Sequence, residues 1–478
     1  MRAFGWMVLL AAAGLAAPAH AEAFDPAPWL ADLEQTRQAF RAKYANLEWL
    51  EREREMPLET LFDDLAGRLK RARTGDEARA VFDRLKRKSG DGHVEIEWPA
   101  LPAPATASQI AAPAAPELCS GIGYDARQNG PGTAAALPGY RALPASNLNP
   151  FEAGMVSAGG AKVGVLRIGV FQPQGFPDLC RDAVRTLRIP ADKPCDESCQ
   201  DRIVTWAYER LTAGLEERLR QLKAAGATVL LVDISHNGGG SEWAEAAART
   251  LSVEPLVSER RGFVRGDHWA KQWRETAAQL QAASAKASPD DRKRLRAWAG
   301  EAEAAAREAE KPCPASGSCG NLAKAGYSTG LVGSASSGAF AGQDWAVQVF
   351  SPAQFDYHDG VWGGPLILLV DQETWSAAEE FAAVLQDNRA AVILGARTGG
   401  AGCGYTNGGM TTELANSHAV LKLPDCVRFR ADGSNEVRGI IPDVLAAIRA
   451  DDGRQFRARQ ISEKLPAAIE RAQSLNRR

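Results

Sequence analysis

The sequence predicts an α/β protein, and three observations carry that prediction. Thr228 to Asp233 is a continuous apolar run that breaks into the turn Ile234-Ser235-His236-Asn237-Gly238-Gly239-Gly240 and resumes as a helical pattern from Glu242 to Leu251. Pro365 to Val370 behaves the same way. It ends in the polar turn Asp371 to Ser376, opens an amphipathic helix from Ala377 to about Gln386, and is followed by the apolar run Ala390 to Gly395. Apolar runs of strand length are buried on both faces, and strand, turn, helix, strand is the unit of a parallel sheet. The third observation is helical periodicity outside these units, at residues 25–90 and 268–311.

Taken in order, the chain opens with Arg2 and the apolar run Met7 to Ala17, too short to span a bilayer, before the small-x-small site Ala19-His20-Ala21. Residues 1–21 therefore read as a signal peptide, the mature chain is expected to begin at Glu22, and no later run reaches membrane-spanning length. Residues 22–98 are expected to form a helical domain, on the spacing of Trp29, Leu33 and Phe40, of Leu61, Leu65 and Leu69, and of Ala80, Phe82 and Leu85. It ends in the turn Asp91-Gly92-His93 and a short strand to Trp98. Residues 99–160 read as a Pro/Gly-rich linker.

The core is expected over 161–447, with a strand from Lys162 to Val170 and a helix from Arg202 to Ala225 leading into the first α/β unit. Trp269 to Lys286 and Asp291 to Lys311, divided by the start signal Ser288-Pro289-Asp290, read as a helical hairpin inserted at 268–311. Residues 326–363 look like short strands. After the Gly-rich loop Thr398 to Met410 come alternating strands around Thr411–Leu414, Ala419–Leu423 and Cys426–Arg430. Residues 448–478 carry a C-terminal helix, about Gly453 to Ala472.

The 478 residues are 45% hydrophobic and 24% charged, an ordinary globular balance. A net charge of −3 supplies no basic field for nucleic acid or an anionic membrane. All eight cysteines follow the signal segment, and an even count in an exported chain suggests disulfides. Spacing favours Cys195–Cys199 and Cys313–Cys319 as local staples and Cys403–Cys426 across a hairpin region, which leaves Cys119–Cys180; other pairings stay open. Zinc is the rival reading, and the C-x3-C spacing lacks a second Cys/His pair close by.

Ser376 stands where a hydroxyl at a strand-to-helix turn reaches the rim of a sheet and the first helical N–H groups point at the same spot. The same position also suits a helix N-cap. Taken in order, Asp91-Gly92-His93, Asp233 through Gly240, Ser376-Ala377-Ala378-Glu379 and Gly439-Ile440-Ile441-Pro442-Asp443 resemble the S41 peptidases, the tail-specific (C-terminal processing) and tricorn-type serine proteases. The resemblance covers about residues 160–447 and the helical region before them. It implies a crotonase-like (ClpP/crotonase) spiral core.

Tail-specific members activate the serine with a lysine in a T-x-G-K-G stretch. Here Thr398-Gly399-Gly400-Ala401-Gly402 has Ala401 at that place, and no lysine lies between Ser376 and Lys422. The tricorn-type design uses a histidine and a glutamate, and the matching positions hold His93 and Glu436. The resemblance thus implies Ser376 as nucleophile, His93 as general base and Glu436 as the group that fixes the imidazole tautomer, a division of labour that suits the pKa of histidine. The backbone N–H groups of Ala377 and Gly239 are expected to form the oxyanion hole. His236 and Trp375 are candidates for the substrate pocket. His268, His358 and His418 show no partner pattern.

Cys119-Ser120-Gly121-Ile122-Gly123-Tyr124 gives only the first half of a PDZ pattern, so capture of a protein C-terminus by strand addition is not indicated. The expectation is a serine peptidase acting on peptides or proteins, periplasmic or extracellular, with no metal and no cofactor. A non-catalytic binding protein on the same scaffold, or an esterase with the same triad, are the alternatives.

Overall fold

The computed structural model describes residues 24–99, 115–144, 149–190, 194–311 and 322–477. The expected signal segment and the Cys313–Cys319 pair lie outside these residues.

Seven strands form the central sheet: β1 (Arg141–Ala142), β2 (Ala153–Ala158), β3 (Ala161–Arg167), β4 (Val229–Asp233), β5 (Leu366–Val370), β6 (Val392–Gly395) and β7 (Val444–Leu445). They lie side by side in chain order. β1 to β3 pair antiparallel, and β3 to β7 pair parallel. The apolar runs are continuous because both faces are covered. Leu230, Val232, Leu366, Leu368 and Ile393 share one core with Leu211 and Leu215 of the helix Glu197–Ala224, Trp243 of the helix Trp243–Leu251 and Phe381 of the helix Ala377–Asp387. The alternate residues Val229, Leu231, Ile367, Leu369 and Leu394 meet Ile461, Leu465 and Ile469 of the C-terminal helix Arg454–Leu475. Each fully buried side chain of this kind contributes about 1.5–3 kcal/mol by leaving water.

The expected linker is in part structural. β1 and β2 fall within 99–160, and the helix Ala115–Gly121 is clipped to the helix Pro177–Thr186 by Cys119–Cys180. Among the described residues of this stretch, Gly130-Pro131-Gly132 and Pro138-Gly139 mark turns between short elements. The N-terminal helices do not enclose a core of their own. Leu33, Phe40, Phe62, Leu65 and Phe82 pack with Leu414, Leu421, Leu423 and Val437, and Glu95–Glu97 pairs antiparallel with Val420–Lys422. This docking delivers the Asp91-Gly92-His93 turn to the sheet.

Asp267–Ser284 and Pro289–Glu310 are two successive helices, packed through Ala277, Leu280, Leu295 and Ala299. They lean on the strand Arg260–Val264 through Phe263 against Trp269 and Trp273. Residues 326–363 are not a run of strands. After Leu322–Tyr327 the chain makes turns and the short helix Ala346–Val349. Phe340, Trp345 and Phe350 instead fill the base of the hairpin, while glycines at positive φ (Gly330, Gly338, Gly342) interrupt any ladder.

Cys195–Cys199 and Cys403–Cys426 are also paired. Disulfides of this kind are typical of chains that mature in an oxidising compartment. Among the described residues no helix is long and apolar enough to cross a membrane.

Candidate active site

Three loops leave the carboxyl ends of β4, β5 and β6, the edge where α/β sheets place their sites. They are laced together by main-chain bonds: Trp375 N–H donates to Asn237 O at 2.9 Å and Gly399 N–H to Thr374 O at 3.1 Å. Ser376 sits at the sharpest point, with φ 56° and ψ −121°. A side chain is rarely tolerated there, and such strain persists only where the surroundings impose it. Here Ser376 N–H donates to Glu379 Oε2 at 3.1 Å, and Ser376 O accepts from Arg428 Nη2 at 3.1 Å. With its main chain held on both sides, Ser376 turns its hydroxyl to His93.

Ser376 Oγ and His93 Nε2 lie 3.1 Å apart across 283 positions of sequence. The imidazole's other nitrogen, Nδ1, lies 2.9 Å from the carbonyl oxygen of Ala401. A carbonyl only accepts, so in the neutral ring Nδ1 carries the proton and Nε2 presents its lone pair to the serine. The turn below is fixed by Asp91, whose buried carboxylate accepts from His93 N–H at 3.0 Å, Tyr44 Oη at 3.0 Å and Asn46 Nδ2 at 2.8 Å. Tyr405 Oη donates to His93 O. Gly92 has no room for more: a Cβ there would stand 3.1 Å from the Trp375 ring and 3.2 Å from Ala401 Cβ.

Glu436 does not meet His93. Its carboxylate is buried and bound by Arg428, which also bonds Glu380 Oε2 at 3.2 Å. The reason is electrostatic: a guanidinium is the stronger partner for a buried carboxylate. The place next to the imidazole goes to the backbone of Ala401, the position where the lysine-using design would put its base.

Gly239 also differs from expectation. Its N–H donates to Asn237 Oδ1 at 2.8 Å, so it is not free to meet a substrate. Ala377 N–H and Gly240 N–H have no hydrogen-bond partner among the described residues, and both residues line the cavity in front of Ser376. Gly239 matters for space: at φ 107°, a Cβ would stand 2.8 Å from Ser376 Cβ and 3.0 Å from Ala377 N. Gly239→Ala is expected to lower kcat/KM for a peptide about 100-fold or more by displacing the serine, as steady-state kinetics would show.

His236 turns away from this cavity, to Asp371 Oδ2 at 2.5 Å and Glu373 Oε2 at 2.8 Å, with Arg457 against its ring. Trp375 is 41% exposed but packs over Gly92 and Gly399 and donates Nε1 to Gln372 O at 2.8 Å. Neither lines the cavity, which measures about 540 Å³.

Besides Gly240, three groups of the site are not among the expected residues: Glu379, Arg428 and the Ala401 carbonyl. Glu379 is fully buried and accepts from Ser376 N, Thr398 Oγ1, Gly400 N, Ala401 N and Gly402 N. Its signal was the spacing Ser-x-x-Glu, a capping-box pattern that names both partners. Arg428 and the Ala401 carbonyl left no signal of this kind.

Behind Arg428 lies Glu259, buried, with no hydrogen bond to either oxygen and Arg428 Nε 3.6 Å away. Burial first, then the neighbouring Glu436 carboxylate, push its pKa well above the usual 4.5. A folded-state pKa above the unfolded one means that ionising Glu259 costs stability, increasingly as pH rises past 4.5. Glu259→Gln is therefore expected to melt above the wild type at pH 8, with the gap closing toward pH 4.5, in thermal unfolding at a series of pH values.

The family model described as peptidase family S41 matches residues 202–446. Among solved structures, mature CPAF shares the fold at 14% identity and a TM-score of 0.58, covering 94% of this chain and 98% of that one. Mature CPAF complexed with lactacystin gives 15% identity, a TM-score of 0.58 and coverages of 95% and 99%. The photosystem II D1 C-terminal processing protease is looser, at 14% identity, a TM-score of 0.36 and coverages of 92% and 97%. No curated protein matches the sequence.

Proposed function

Because this chain belongs to peptidase family S41 and is a serine-type peptidase, we propose that it hydrolyses peptide bonds through an acyl-enzyme on Ser376. The observation that carries this reading is the 3.1 Å contact of Ser376 Oγ with His93 Nε2, with the tautomer set by Ala401 O. Ser376 Oγ attacks the scissile carbonyl carbon while Nε2 takes its proton. The oxygen that becomes an oxyanion is met by the N–H groups of Ala377 and Gly240. Collapse breaks the C–N bond, and the imidazolium returns the proton to the leaving amine. A water then repeats the sequence on the acyl-enzyme, releasing the acid and restoring Ser376. Glu436 serves this site through Arg428 and the Ser376 carbonyl.

The run of parallel strands β3 to β7 in chain order supports a crotonase-like spiral for the core. The disulfides support export to the periplasm or beyond, after removal of residues 1–21.

A fluorophosphonate probe tests the assignment. The wild type is expected to be labelled, Ser376→Ala unlabelled, and His93→Ala labelled at least about 100-fold more slowly. Equal labelling of wild type and Ser376→Ala would sink it. A wild type that reacts with no probe and cleaves no peptide would leave the binding-protein reading. A labelled wild type that cleaves ester substrates and no peptide would leave the esterase.

A further inference from the structure

The strand Arg260–Val264 pairs antiparallel with Cys426–Phe429, and Arg261 stands directly opposite Arg428. Opposed residues share a face, and two like charges there repel. The two guanidiniums are treated very differently. Arg428 is compensated by Glu436, by Glu380 at 3.2 Å and by Glu259 at 3.6 Å. Arg261 donates to the Ser328 carbonyl and lies 5.9 Å over the Trp269 ring, and it has no carboxylate in ion-pair contact among the described residues. Both arginines line the same cavity as Ser376 and His93.

A half-buried guanidinium without a counter-charge is costly to hold, and it is relieved by an anion that enters the cavity. The acidic groups that share the wall do not fill this place. Glu380 is engaged by Arg428, and Glu242 is exposed. Burial lowers the pKa of Arg261, and the fields of Glu242 and Glu380 offset this in part. The rest of the lining is largely polar, with Ser241, Ser328, Thr406 and Asn407. Its apolar surface comes from Ala377, the Tyr405 ring and the Cys403–Cys426 disulfide, with no aliphatic side chain larger than alanine. Such a cavity offers more polar partners than apolar surface.

We propose that Arg261 is a specificity-determining residue that binds a carboxylate of the peptide substrate beside the scissile bond. The carboxylate belongs either to an aspartate or glutamate side chain or to a free C-terminus. This rests on the reading of Ser376 as the nucleophile. The guanidinium offers two parallel N–H donors, which match a carboxylate and not an amide.

The test uses the whole protein and internally quenched peptides of one sequence, blocked at both ends. Glu, Gln or Lys is scanned through three positions on each side of the cleaved bond. A parallel arm uses the Gln peptide with a free C-terminus. The wild type is expected to prefer the carboxylate over its neutral counterpart by about 10- to 100-fold in kcat/KM, at one scanned position or in the free-C-terminus arm. Which arm responds identifies the source of the carboxylate. In Arg261→Gln the ratio is expected to fall to about one, and in Arg261→Glu to turn toward Lys. A flat panel, or a preference for Lys in the wild type, overturns the proposal without any variant. An unchanged ratio in Arg261→Gln overturns it as well. Fluorophosphonate labelling separates the two readings: a labelled wild type with a flat panel discards Arg261 alone, and an unlabelled one that cleaves nothing discards the serine site and Arg261 with it.

Discussion

Ser376→Ala is expected to lower kcat/KM for a peptide substrate by about 10,000-fold or more, the largest effect of any single substitution in this chain. The hydroxyl is poised to attack: it lies 3.1 Å from Nε2 of a histidine whose Nδ1–H donates to Ala401 O. The same residue makes a second, opposite prediction for stability. At φ 56° and ψ −121°, any side chain is held in a conformation that costs about 1–3 kcal/mol. Glycine adopts it without that cost. Ser376→Gly is therefore expected to be as inactive as Ser376→Ala and to melt higher than it, a gain of about 1 kcal/mol in denaturant unfolding. If Ser376→Gly is the less stable of the two, the strain at the turn is not real. If Ser376→Ala keeps its activity, the nucleophile lies elsewhere.

The sheet was readable because burial on both faces leaves a plain mark, the unbroken apolar runs of β4, β5 and β6. Ser376 and His93 were readable through a family resemblance, since nothing local links two positions so far apart. The residues around them were less so, and for physical reasons. A backbone carbonyl has no letter of its own, so Ala401 read as a missing lysine when its oxygen does the orienting. Glu436 read as a turn carboxylate beside histidine because Arg428, its partner, lies on a strand whose facing residue was not predicted. Gly239 and Gly240 are identical as letters. Only the Asn237 side chain, which takes up one N–H and leaves the next, tells them apart. The stretch 326–363 failed because its aromatic residues serve the helical insertion, a contact made across a long loop.

Glu379→Gln is expected to lower kcat about 100-fold while changing KM little, and to cost about 2–5 kcal/mol in stability. The carboxylate does not line the cavity, so it has no hold on bound substrate. What it holds is the relation between two halves of the site. Its Oε2 accepts from Ser376 N at 3.1 Å, from Ala401 N at 2.7 Å and from Gly402 N at 3.3 Å, while Oε1 accepts from Thr398 Oγ1 at 2.5 Å and Gly400 N at 2.8 Å. Oε2 therefore ties the Ser376 main chain directly to the loop whose carbonyl meets His93, and Oε1 holds a second point of that loop. A glutamine keeps one acceptor oxygen and points an NH₂ group at donors, which strands at least one buried N–H group, and three if the NH₂ takes the place of Oε2. The loop must shift to find other partners, and the Ala401 carbonyl shifts with it. A group that acts only on stability would lower the melting point and leave kcat within about threefold at a temperature where the variant is folded. A group that positions the imidazole lowers kcat there too. Steady-state kinetics at 15 °C beside the thermal melt distinguish the two, and kcat near the wild-type value would remove Glu379 from the mechanism.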